Sequence, residues 1–113
     1  MSPIEDSWVI TVEFTEVFDD WLERLRDRQA VARITARLLR LRRGHWGDVK
    51  PVGDGVIEFR VDAGPGYRMY AIKRGDVWVM MLAGGDKSSQ RRDIEAAKRI
   101  AKEMRRGSED DPI

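Results

Sequence analysis

Apolar positions recur along this chain with two periods, and the switches between them divide it into elements. From Trp8 to Phe14 they alternate, with Trp8, Ile10, Val12 and Phe14 on one face and Val9, Thr11 and Glu13 on the other, the pattern of a strand with one buried side. The spacing then becomes helical. Thr15 offers an N-cap, Glu16, Asp19 and Asp20 suit a helix N-terminus, and Phe18, Trp21, Leu22 and Leu25 form a buried stripe. A second helix is predicted from near Asp27 to Arg43, with Ile34, Leu38 and Leu41 on its apolar face, its arginines turned to water or a partner, and Gly44 as its stop. So short a link implies a helical hairpin packed on one face of a sheet.

Strand patterning returns after a glycine-punctuated loop, Gly44 to Gly55, which has room for a short strand around Val49 to Val52. Val56 to Asp62 alternates, which places Ile57, Phe59 and Val61 inward and Glu58, Arg60 and Asp62 outward. Tyr67 to Lys73 is the next strand, and Arg74-Gly75-Asp76 turns it into Val77 to Ala83, apolar throughout as a strand covered on both faces would be. Ser88 or Ser89 caps a last helix running to about Arg106, with Ile94, Ala97, Ala101 and Met104 as its apolar stripe, and the acidic stretch from Gly107 to Ile113 reads as a flexible tail. The expected fold is α+β. A helical hairpin and a C-terminal helix pack on a mainly antiparallel sheet of about four strands in the order β-α-α-β-β-β-α.

Composition narrows the setting. At 113 residues the chain is read as one domain, residues 1–113, and without cysteine it has neither disulfides nor a thiol nucleophile. Its net charge of +1 conceals segregation, because acids cluster at both ends while arginines and lysines fill the second and last helices. Screening over about 10 Å lets such basic blocks act apart from distant acids, as a polyanion-binding face or simply as solvated helix surface. Met1 to Asp6 is acidic with no apolar segment after it, and the longest apolar run, Val77 to Ala83, is far short of the ~20 residues of a membrane span. A cytoplasmic protein without a membrane partner is expected.

Candidate chemistry gathers at Gly64-Pro65-Gly66-Tyr67-Arg68-Met69-Tyr70 and Gly84-Gly85-Asp86-Lys87. The Gly-Pro-Gly turn leaves the backbone little choice, so Arg68 should emerge at a fixed place, with Tyr70 one pleat further on the same face and Arg60 outward on the adjacent strand. Lys87 directly precedes the last helix, where its ammonium and the free N–H groups would converge on a phosphate. His45 is the sole histidine, so no multi-histidine metal site can form, and it is either a lone acid or base or a surface loop residue.

Gly47-Asp48-Val49-Lys50, Val52-Gly53-Asp54-Gly55-Val56, Glu58-Phe59-Arg60, the two glycine motifs above, and Gln90 followed by Asp93-Ile94 together resemble the RelE/ParE toxin superfamily, most closely its HigB-like "addiction module killer protein" branch. The resemblance spans Phe14 to about Glu103 and implies a RelE-like fold and the toxin of a bacterial type II toxin–antitoxin pair. Its partner would be a cognate HigA-like helix-turn-helix antitoxin, and the toxin would meet DNA only through that complex. RelE and HigB branches imply an endoribonuclease that cuts mRNA in the ribosomal A site without metal or cofactor, whereas the ParE branch implies a non-catalytic inhibitor of DNA gyrase. For the nuclease, Arg68 matches the family's Gly-Tyr-Arg position and would clamp the scissile phosphate, with Arg60 as a second cation and Lys87 at a basic position of the family. Lys50 would be a base or electrostatic partner, and Tyr70 and His45 are the further acid–base candidates. No tyrosine stands in the last helix, where RelE has one, and HigB toxins that use more than one histidine also differ from this chain.

Overall fold

The structure, a computed structural model, describes residues 8–110; Glu5, Asp6 and the last three residues of the expected acidic tail lie outside them. The order is β1 (Thr11–Phe14), α1 (Glu16–Arg24), α2 (Arg28–Arg42), β2 (Val49–Gly53), β3 (Val56–Val61), β4 (Tyr67–Arg74), β5 (Trp78–Asp86), a 3₁₀ turn (Lys87–Ser89) and α3 (Gln90–Asp110). The α+β class is as expected. The sheet has five strands rather than four, in the order β1-β5-β4-β3-β2. The added strand is β2, from the glycine-rich loop, which pairs antiparallel with β3 and slips register between Pro51 and Gly53. A proline is tolerated there because β2 is an edge strand. The sheet is mixed, since β1 pairs parallel to β5 while the other pairs are antiparallel.

The starts of α1 and α2 are each fixed by a side chain. Thr15 Oγ1 accepts from the Phe18 N–H at 3.1 Å and donates to the Leu82 carbonyl at 2.7 Å, so one hydroxyl both caps α1 and ties it to β5. Asp27 caps α2 by accepting from the Ala30 N–H at 3.1 Å. Gly44 ends that segment at φ +94°, a conformation that costs a glycine little, while the Gly44 and His45 N–H groups donate to the carbonyls of Leu41 and Arg40.

Two apolar layers flank the sheet. Phe18, Ala30, Ile34, Leu38 and Leu41 from α1 and α2 pack with Phe59, Met69, Val79 and Met81 on one side. Ala97 and Ala101 of α3 pack with Val56, Tyr70, Ile72 and Leu82 on the other. This double cover explains the unbroken apolar run of β5. It also accounts for two departures. Glu58, expected to face outward, is fully buried because α3 covers its face, and Arg37, expected at the surface of α2, is 7% exposed. Gly107, expected in the tail, lies within α3, and at the start of that helix Ser89 Oγ donates to the Asp93 carboxylate, while Asp86 caps the preceding 3₁₀ turn by accepting from the Ser88 N–H at 2.8 Å.

Candidate functional site

The turn at Gly64-Pro65-Gly66 takes left-handed φ values of +51° and +84° at its glycines and closes with the Gly66 N–H on the Ala63 carbonyl at 3.0 Å. It starts β4 so that Arg68 stands opposite Arg60 on one side and Gly85 on the other. One pleat along, Lys50, Glu58, Tyr70 and Ala83 form a row across β2, β3, β4 and β5. A Cβ at Gly85 would collide with the Asp93 carboxylate of α3, so that glycine lets the helix start lie close over the strand carrying the motif.

Glu58 is the hub of this row. Its Oε2 accepts from Gln90 Nε2 at 2.8 Å and lies 3.8 Å from Arg68 Nε, and its Oε1 is 3.9 Å from Lys50 Nζ. The Arg68 side chain is 12% exposed, and its Nη1 donates back to the Gly66 carbonyl at 3.1 Å. Tyr70 shares the face of Arg68, as the pleat requires, but it is wholly buried. Burial and then the Glu58 carboxylate push its phenol well above the ordinary tyrosine value, so it stays protonated.

Beside this row opens a groove of about 650 Å³ between α2 and the sheet, lined by Arg33, Arg37, Arg40, Arg60 and Arg68, with Asp48 and Asp62 as its acids. Several of these cations are engaged. Arg37 donates to the carbonyls of Trp46, Asp48 and Arg60, at 2.5 Å for the last, and burial holds its guanidinium below the usual arginine value. Arg33 donates to the Asp62 carbonyl at 2.7 Å, and Arg60 pairs with Asp48 at 3.3 Å. Among the described residues, Arg40 has no side-chain hydrogen bond or ion pair.

The structure thus brings Arg68, Lys50 and Tyr70 around Glu58 and sets Arg60 at the rim. Lys87 is exposed in the 3₁₀ turn, its Cβ near Gly66, but the expected phosphate seat beside it is occupied by protein: the Asp86 carboxylate takes the Ser88 N–H and hydroxyl. Those hydrogen bonds hold the Asp86 carboxyl below its ordinary value. His45 is exposed in the turn after α2, and among the described residues its side chain has no hydrogen bond or ion pair with the cluster. The outward assignment of Glu58 hid the hub, and Arg37 was hidden by its charge. Arg37 follows Ile34 by three residues and so falls on the apolar stripe, a signal present in the sequence. Among the described residues, no helix is long and apolar enough to cross a membrane.

No family model matches the chain, and no solved structure matches it. It is 46% identical over 95 residues to an uncharacterized protein of Haemophilus influenzae, an alignment covering 84% of this chain and 96% of that protein. The chain belongs to the same family as that protein.

Proposed function

We propose that this protein is the toxin of a type II toxin–antitoxin pair, RelE-like in fold and similar to the HigB branch, which cuts mRNA in the ribosomal A site without a metal and so stops translation in the cytoplasm. The observation that carries the reading is the placement of Arg68, held against buried Glu58 and opening into an arginine-lined groove. RNA cleavage of this kind joins the 2′-oxygen to the adjacent phosphorus and breaks the bond from phosphorus to the 5′-oxygen. Charge gathers on the phosphoryl oxygens, where a guanidinium fork acts best. Arg68 is the clamp and Arg60 the second cation. Lys50, half exposed on the neighbouring row, is the residue assigned to proton transfer, and Tyr70 packs beneath them. The basic groove is the face that a HigA-like antitoxin would mask.

The test is primer extension on a defined message in a purified translation system, with wild type and Arg68→Ala compared. Ribosome-dependent cuts that disappear in a folded Arg68→Ala protein are expected. A folded, toxic wild type that makes no cuts but inhibits supercoiling in a gyrase assay would overturn the nuclease reading.

A further inference from the structure

Glu58 is a costly residue to bury. A carboxylate with no exposure is destabilising unless its oxygens are matched, and a well-packed apolar side chain of similar volume is often as stable or more so. Here the matching is incomplete. Oε2 has the Gln90 amide, but Oε1, Arg68 Nε and the Tyr70 hydroxyl are buried with no hydrogen-bond partner among the described residues. The contacts to Arg68 and Lys50, at 3.8 and 3.9 Å, are charge contacts without hydrogen-bond geometry. Stability alone does not account for such a group.

We propose that Glu58 is a positioning residue, which fixes the guanidinium of Arg68 so that it faces the groove as a clamp for a phosphodiester of single-stranded RNA. The inference rests on the nuclease reading for the identity of the ligand, while its geometry concerns Arg68 alone. Gln90 is the second support, since it reaches from the start of α3 to the same carboxylate. The other charges facing Glu58 are Lys50 from β2 and Arg68 from β4, and Asp93 stands over Gly85 from α3.

The sign of one measurement separates this role from a merely electrostatic one. Removing a negative charge beside a phosphate site should tighten anion binding by Coulomb's law. Loss of a support for Arg68 should weaken it. Binding of a fluorescent single-stranded hexaribonucleotide at low salt is therefore measured for wild type, E58Q, E58D, Q90M, R68A and E58Q/R68A, with thermal melts as the fold control. In the same proteins the Arg68 Nε–H resonance reports its exchange with solvent.

Expected are losses of about fivefold or more for E58Q and E58D and of about tenfold for R68A, with the double variant no weaker than R68A, since residues acting as a unit are not additive. Q90M, which keeps the charge and is the reserve if E58Q does not fold, should weaken binding by about twofold to threefold and speed exchange at Arg68. Tighter or unchanged binding by folded E58Q or Q90M, independent losses at Glu58 and Arg68, or no RNA binding by wild type would overturn the proposal. If the cycle holds while the ribosome assay shows no cuts, the nuclease reading fails and the positioning role stands.

Discussion

The Arg37 guanidinium, inside α2, donates to the main-chain carbonyl of Arg60 in β3 at 2.5 Å. The same fork holds the carbonyls of Trp46 and Asp48, so one side chain fastens the helix to the strand and to the loop that leads into β2. Arg37→Ala takes the charged donor from the part-buried Trp46 and Arg60 carbonyls and leaves the Asp48 carbonyl the Arg60 N–H at 3.1 Å. A loss of about 2–4 kcal/mol is expected, measured by urea unfolding, with Arg37→Lys recovering only part because an ammonium lacks the planar fork.

Gly84 and Gly107 should respond oppositely to alanine. A Cβ on Gly84 would overlap the Trp21 ring of α1, whereas one on Gly107, within α3, meets nothing within 4 Å. Gly84→Ala should cost about 1–3 kcal/mol through overpacking. Gly107→Ala should stabilise by about 0.5–1 kcal/mol through helix propensity. Thermal melts of the two variants side by side check both signs.

Tyr70 contributes to the alkaline limb of stability, as does Tyr67, whose phenol is also raised, first by burial. The folded value of Tyr70 is raised, so the stabilisation it contributes is fully present below the unfolded phenol value of about 10 and is lost as pH rises from there through the folded value. Tyr70→Phe cannot titrate. Its melting temperature should fall less than that of wild type between neutral pH and pH about 11, a comparison made by circular dichroism.

Arg40 lines the groove without a side-chain partner among the described residues, so its charge is available to a polyanion. Arg40→Ala should leave melting within about 0.5 kcal/mol of wild type, as surface substitutions usually do. Its RNA affinity should fall with a salt slope smaller by about 1 than that of wild type. Anisotropy titrations at several salt concentrations measure the slope.

The elements were legible where one period dominated. Ile57 to Val61 alternates and the stripe of Ile34, Leu38 and Leu41 is helical, so β3 and α2 follow from pattern, while β4 follows from the Gly-Pro-Gly and Arg74-Gly75-Asp76 turns that bound it. β2 was only half legible because Pro51 and the four glycines of the Gly44 to Gly55 stretch dilute its apolar signal, and its edge position supplies what propensity lacks. Of the site, Arg68 followed from the turn that launches it. Glu58 did not, because alternation tells which residues share a face but not whether a helix thirty residues later will cover it. Lys87 was placed at a helix start, but the competition from Asp86 for the same donors depends on a turn conformation that composition leaves open.

The parallel pairing of β1 with β5 sets Thr11 beside Trp78 and Phe14 beside Met81. Among the described strands, β1 therefore waits for β5, the last of the five in chain order, before it can join the sheet. A nascent chain holds β1 without its partner until β5 has been made, and closing so distant a pair is a slow step.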